Sequence, residues 1–333
     1  MFGVVQFFGF FQISTTLWVT GSFDNPAGFA ACLCAGFPFV GFLLSDSNKY
    51  IRYVGGLIGF VIVIAVILSQ SRAGIWSIAF ICFILLNMKF FHKRWVKYLS
   101  LLCFALLLSG CYWMKKDSAD GRLLIWRCSV SMVKDAPWLG HGIGSFEARY
   151  MDYQADYFRQ YGLNRYSMLA DNVKHPFNEY LGVLLNFGFV GLLMILALIT
   201  LLIYCYKKHP CAEKRIAFYS LISIGVFSFF SYTFTYPFTW IVTFLCIIIL
   251  TKEYIAKVFT CPIIKNTVCI FILLCSFWGI YNLVKRVMAE KEWGNTSRLA
   301  LCGASGKTLP AYAELEKKFE NNPYFLYNYA AIL

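Results

Sequence analysis

Gly121-Arg122-Leu123-Leu124-Ile125-Trp126-Arg127 opens a polar and aromatic segment of about residues 115–178, and His175-Pro176-Phe177-Asn178-Glu179 closes it. The chain on both sides is apolar. Of 333 residues, 59% are hydrophobic, 19% aromatic and 14% charged, with a mean hydropathy of +0.62. A soluble domain carries about a quarter charged residues, so this chain is built for lipid. Stretches long enough to cross a hydrocarbon core of about 30 Å recur along it. We read about nine: residues 1–20, 27–45, 52–69, 74–88, 98–114, 179–206, 216–232, 237–251 and 266–284, of which 74–88 and 237–251 are short. The expected fold class is therefore all-α, a polytopic integral membrane protein with one large loop.

The net charge of +13 is placed by topology. Basic residues concentrate in four short connections: Lys49 and Arg52; Lys89, Lys93, Arg94 and Lys97; Lys207, Lys208, Lys214 and Arg215; and Lys252, Lys257 and Lys265. The alternate short connections, near 21–26, 70–73 and 232–237, contain only Arg72. By the positive-inside rule the first set is cytoplasmic. The 115–178 loop and the tail after about Leu283 then lie outside. The basic balance is an orientation signal and not a nucleic-acid patch. Met1 begins within an apolar stretch with no charged leader, which reads as a span and not a signal peptide.

A single large outer loop is unusual for a channel or transporter and natural for an enzyme acting on a lipid-linked substrate at the membrane surface. A transporter would show ionisable residues at mid-span or paired broken helices in two similar halves, and the spans hold almost no such charge. Most of the 13 cysteines fall within spans, where cysteine acts as a small apolar residue. No Cys/His spacing suits zinc. Only Cys128 and Cys302 lie on the outer side, where a disulfide is conceivable.

Four groups carry chemistry. Arg72, in Ser71-Arg72-Ala73-Gly74, is a charge at the bilayer edge; such groups are expensive and functional by default, although an interfacial arginine also snorkels to headgroups. Arg122 and Trp126 are four apart and share a helix face, with Arg127 beside them. Converging guanidinium groups grip phosphate oxygens in bidentate fashion at any working pH; ordinary solvation of a loop is the plainer alternative. Asp135-Ala136-Pro137-Trp138-Leu139-Gly140-His141-Gly142-Ile143-Gly144-Ser145-Phe146 reads as a tight turn more than a phosphate nest, which makes His141 a loop residue. Finally, His175 and Glu179 are four apart. Histidine exchanges protons near neutrality and an adjacent carboxylate orients it, while Pro176 in a first helical turn and Glu179 near the helix dipole also read as a helix entry.

In order, Gly21-Ser22-Phe23-Asp24-Asn25-Pro26, Ser71-Arg72-Ala73, Arg122 with Trp126, Pro137 to Phe146, His175-Pro176-Phe177-Asn178-Glu179-Tyr180-Leu181, and Gly188 to Gly191 resemble the O-antigen ligase superfamily, including its bacterial O-oligosaccharyltransferase branch. The resemblance covers about residues 1–284. It implies metal-independent transfer, with no cofactor or nucleotide sugar, of a glycan from undecaprenyl pyrophosphate to an acceptor hydroxyl at the periplasmic face. Arg72 and Arg122, with Arg127 beside them, would bind pyrophosphate. A loop histidine would activate or orient the acceptor, with Trp126 and Asn178 in support. Many relatives carry His directly before the Asn, where this chain has Phe177. Either His175 serves from a shifted position, or Glu179 is the base, or no histidine is needed. The acceptor is a lipid A core sugar, an exported protein, or another glycan repeat as in a polymerase; a transporter of the lipid-linked glycan is the non-enzymatic alternative.

The remainder, 285–333, reads as a periplasmic helical tail. Ala311–Glu320 has an amphipathic pattern, Asn321-Asn322-Pro323 a turn, and Tyr324 onward the start of a further helix, like the edge of a tetratricopeptide repeat. Since a lone repeat cannot bury its own face, the expectation is a sequence truncated in these repeats and in the spans that precede residue 1 in relatives.

Overall fold

The computed structural model describes residues 19–23, 25–89, 94–114, 116–258, 262–303, 305–319 and 323–332. Regular structure among them is helical throughout. The helices are α1 (Pro26–Gly36), α2 (Val40–Leu44), α3 (Lys49–Leu68), α4 (Arg72–Lys89), α5 (Arg94–Met114), α6 (Lys116–Asp135), α7 (Ser145–Tyr161), α8 (Glu179–Lys208), α9 (Ala212–Ser228), α10 (Pro237–Val258), α11 (Pro262–Leu301), α12 (Ser305–Phe319) and α13 (Pro323–Ala330). They form two compact units, one through Lys252 and one from Glu253.

Five helices among the described residues are long and apolar enough to cross a membrane: Pro26–Leu44, Lys49–Leu68, Glu179–Lys208, Pro237–Ala256 and Asn266–Leu301. They match the expected spans 27–45, 52–69, 179–206, 237–251 and 266–284. The expected span 1–20 lies almost wholly outside the described residues. Spans 74–88 and 98–114 contain only shorter apolar helices, Arg72–Leu85 and Lys97–Leu106. The third shortfall, 216–232, is at the far end: α9 stops at Ser228, before the expected span does.

The first unit is knit where small residues let α1, α4 and α9 approach. Ser77 Oγ meets the Ser223 carbonyl and hydroxyl, each at 2.8 Å. Ser223 Oγ donates to the Cys34 carbonyl at 2.7 Å and Ser220 Oγ to that of Ala35 at 2.6 Å. Ala30, Ala31, Cys34, Val66, Ala73, Ile78 and Phe227 fill the space around this seam. Apolar burial cannot drive helices together in lipid, so close contact between small residues and interhelical hydrogen bonds must do so. The same packing plants Arg72 at the head of α4.

The 115–178 segment is mostly helical. Leu124, Ile125, Cys128 and Met132 of α6 pack with Phe146 and Tyr150 of α7, Tyr166 and Leu185. Their helical spacing buries one face of α6. Cys128 and Cys302 are both free thiols.

The glycine-rich turn ending α6 has a structural job. α8 is broken at Gly188, with φ +61° and ψ −159°, a region open essentially to glycine alone. The turn's backbone stitches the break: His141 N donates to Leu185 O at 2.7 Å, Phe189 N to Pro137 O at 2.8 Å, and Gly142 N and Val190 N to Asn186 O and Trp138 O. A side chain at Gly140 would sit 2.6 Å from the Asn186–Phe187 backbone. His141 is part of this seam. Its Nε2 lies 2.8 Å from Met132 O, and Arg149 Nη1 approaches its Nδ1 at 3.1 Å; an arginine can only donate there, so the ring proton is on Nε2.

In the second unit, Tyr312, Leu315, Phe319 and Phe325 of α12 and α13 bury themselves against Ala289 of α11, and Trp293 packs on Phe319 and Phe325 at 5.4 and 5.5 Å. Helix α11 continues past Lys285 to Leu301, and its last turns cover the tail helices.

Gly188→Ala should destabilise the fold by at least about 2 kcal/mol, since the position's backbone excludes a Cβ and that atom would meet Trp138 backbone at 2.3 Å. Gly182→Ala in the same helix, with its nearest contact at 3.6 Å, should change stability by less than about 1 kcal/mol. Unfolding of both variants in detergent micelles checks the pair.

Candidate functional site

Four segments distant in sequence meet beside the start of α8. Asn25 caps α1, its Oδ1 accepting from Ala27 N at 2.6 Å and Gly28 N at 3.2 Å, which leaves its amide to donate to Tyr232 Oη at 2.7 Å. Arg72 at the head of α4 donates from Nη2 to Ser118 Oγ at 2.8 Å. Arg122 of α6 donates from Nη1 to the Phe230 carbonyl at 2.8 Å, and the Phe230 ring is held edge-on by Trp76 at 4.1 Å. Trp126, one turn on, donates from Nε1 to the Pro176 carbonyl at 2.9 Å and so fixes the strand of chain that carries His175.

That strand is not helical. Helix α8 starts at Glu179 with Asn178 as its cap, Oδ1 accepting from Leu181 N at 3.0 Å. Pro176 therefore precedes the cap and is not in the first turn. Phe177 has φ +53°, a left-handed conformation that is rare for a bulky residue and marks local strain. The turn brings His175 and Phe177 against one partner. His175 stacks on Tyr232 at 4.7 Å with planes 27° apart, and Phe177 meets the same ring edge-on at 5.3 Å.

Without a helical step between them, His175 and Glu179 diverge. Glu179 Oε1 accepts from Phe234 N at 2.7 Å and braces the 232–236 connection. The carboxylate acting on His175 is Glu147, itself 3.9 Å from Lys174. Burial lowers the His175 pKa first; Glu147 opposes that shift and Lys174 adds to it. The ring is accordingly neutral at pH 7, able to accept a proton.

Arg122 is under greater stress. Burial pushes its pKa down to about 10; the charge of Arg72 adds to the depression, and Tyr232 works against it. Two guanidinium groups from different helices thus lie near enough for their charges to interact. The Arg122 guanidinium also lies over the Phe177 ring at 5.2 Å. Arg127 is not brought to this group. Five residues along a helix turn it roughly 140° away from Arg122, where its Nη1 reaches Tyr157 Oη at 3.4 Å and its guanidinium covers Tyr166 at 5.2 Å.

Beside the arginines lies an open cavity of about 320 Å³ walled by Asn25, Lys174, His175, Phe177, Tyr232 and Tyr236, with Val173 and Thr235 completing it. Tyr232 and Tyr236 escaped the sequence reading because Tyr232-Thr233-Phe234-Thr235-Tyr236-Pro237 registered only as a connection without lysine or arginine. Its aromatic content, on the same face as the large loop, was the available signal.

Five helices of membrane-crossing length and an aromatic pocket beside Arg122 define a polytopic membrane protein with a ligand-sized cavity. Comparison with known families gives the particular case. Residues 57–196 match the family model described as O-antigen ligase, a stretch that holds Arg72, Arg122, Trp126, His175 and Glu179. Members of that family are ligases and polymerases of the glycosyltransferase kind, working on lipid-linked glycans in membranes. No curated protein matches the chain.

The direction of the His175 shift is directly measurable. In protein labelled at histidine, its ring should titrate below the ordinary value of 6.5, and substituting Glu147→Gln should lower it further. A midpoint above 6.5 would mean that a negative charge, and not burial, dominates at the ring.

Proposed function

We propose that this protein transfers a glycan from undecaprenyl pyrophosphate to an acceptor hydroxyl at the periplasmic face of the bacterial inner membrane. The observation that carries the reading is that Arg72 and Arg122, 50 positions apart in sequence, come to one part of α6: Arg72 donates to Ser118, one turn before Arg122, and its charge adds to the lowering of the Arg122 pKa. A pyrophosphate nearby would offset that effect. Its oxygens also offer the acceptors that planar guanidinium groups fit.

The acceptor hydroxyl attacks the anomeric carbon, the bond to the pyrophosphate oxygen breaks, and undecaprenyl pyrophosphate departs with the negative charge. The arginines stabilise that charge as it develops, without a metal or other cofactor. Neutral His175 takes the hydroxyl proton, from a position two residues before the one used by many relatives. Glu179 stands behind it as the brace of the 232–236 connection and as the alternative base. Arg127, turned towards Tyr157 and Tyr166, is outside this proposed clamp.

Residues 1–284 are read as the transfer domain and 285–333 as a periplasmic tail beginning a tetratricopeptide-like array, on which a protein acceptor would dock. The acceptor is a lipid A core sugar or an exported protein; extension of another glycan is the polymerase alternative.

Arg72→Ala should abolish transfer from a lipid-linked donor while the protein remains in the membrane. Arg122→Lys keeps the charge but loses the planar fork, and should cost about 10²-fold in kcat. Full transfer by either variant would overturn the clamp.

Acceptor choice is settled by deleting the gene and comparing lipopolysaccharide banding with glycan staining of periplasmic proteins. Loss of protein glycans alone would mean an O-oligosaccharyltransferase. Loss of the ladder alone would mean a ligase if whole polymer accumulates on the carrier, and a polymerase if single repeats cap the core.

A further inference from the structure

The geometry points to the cavity beside Arg122 being a subsite for a single sugar ring, with Tyr232 as its stacking platform. The inference rests on the transfer reading for which sugar enters, but not for whether a sugar binds. At about 320 Å³ the cavity is at the small end of ligand pockets, too small for a polymer. Its walls mix aromatic faces with hydrogen-bonding groups. Tyr232 and Tyr236 lie 6.0 Å apart with planes 30° apart, so their faces run along one side, and the rings of His175 and Phe177 close on Tyr232. Asn25, Lys174 and Thr235 add polar groups.

That mixture is what a pyranose presents: a flat face of C–H groups to lie on an aromatic ring and a rim of hydroxyls to hydrogen-bond. An acyl or prenyl chain would leave the polar walls unmatched. A phosphate would find Arg122 more attractive than a cavity whose one lysine lies near Glu147.

Position supports the assignment too. Phe177 is a cavity wall and also carries the Arg122 guanidinium on its ring, while Tyr232 is near enough to Arg122 to oppose the lowering of its pKa. A sugar on Tyr232 thus sits next to the proposed pyrophosphate clamp, with His175 at its edge. Either the donor's first sugar or the acceptor's terminal sugar meets that description. Asn25, by donating to Tyr232 Oη, fixes the hydroxyl and holds the platform in orientation; it is a positioning residue.

The test uses the full chain in nanodiscs. Saturation-transfer NMR with methyl N-acetylglucosaminide and methyl glucoside should show saturation concentrated on ring C–H protons. Tyr232→Leu should abolish it, and Tyr232→Phe, which keeps the ring, should retain it. In transfer assays Tyr232→Leu should raise one apparent KM by about tenfold, the scale of an aromatic contact. A rise for the donor assigns its first sugar; a rise for the acceptor assigns the other source.

No saturation with either glycoside, or saturation unchanged in Tyr232→Leu, overturns the subsite. A fall in kcat with both KM values unchanged also overturns it and assigns Tyr232 to support of the fold. These outcomes leave the arginine clamp standing. Undiminished transfer by Arg72→Ala would remove the clamp but not sugar binding, so the two readings fail separately.

Discussion

A backbone seam holds α6 to the long apolar helix α8, and the site depends on it. At Gly188 the helical hydrogen-bond ladder of α8 is interrupted, and amide and carbonyl groups freed at the edge of an apolar span are costly if unmet. The turn 137–142 meets them, group by group, with its own backbone. Both glycines that touch across the seam, Gly140 and Gly188, have positive φ, and neither has room for a Cβ. The seam fixes the end of α6 against α8, and the chain that leads into α8 is pinned a second time by Trp126 on Pro176. Arg122, one turn before Trp126, is carried into place between these anchors.

The electrostatics follow from that placement. An arginine at a water-exposed surface has little to gain from a ligand because water already solvates it. Arg122 is partly stripped of water, and Arg72 adds a like charge. The Phe230 carbonyl supplies one acceptor and the Phe177 ring a weakly negative face. Neither carries a full charge, and an anion beside Arg122 would favour its charged form. The strain stored at Phe177 belongs to the same arrangement: its left-handed turn allows residues 175 and 177 both to face Tyr232.

Much of this was legible in the sequence, for definite reasons. Arg72 stood out as the one base on the face that otherwise lacked them in its short connections. Arg122 and Trp126 showed their shared face by spacing, and the glycine turn read as a turn. What failed was periodicity applied across a proline: His175 and Glu179 are four apart, but Asn178 caps the helix and Phe177 turns left-handed, so no helical face joins them. Arg127 failed for the opposite reason. The segment is helical, and helical rotation sends Arg127 to the far side from Arg122. Among the described residues the expected span 216–232 also outran its helix, because hydropathy stays high past Ser228, where α9 ends.

Tyr232 shows why partners across a fold resist sequence reading. Nothing local marks it; its importance comes from Asn25, His175 and Phe177 all arriving at one ring. The arrival is enforced from both sides: Glu179 holds the Phe234 amide and Tyr180 the Gly225 carbonyl at 3.0 Å. The first residues of α8 therefore clamp the far end of α9 and the connection after it, while the residues just before α8 supply His175 and Phe177. One helix start thus sets both walls of the cavity.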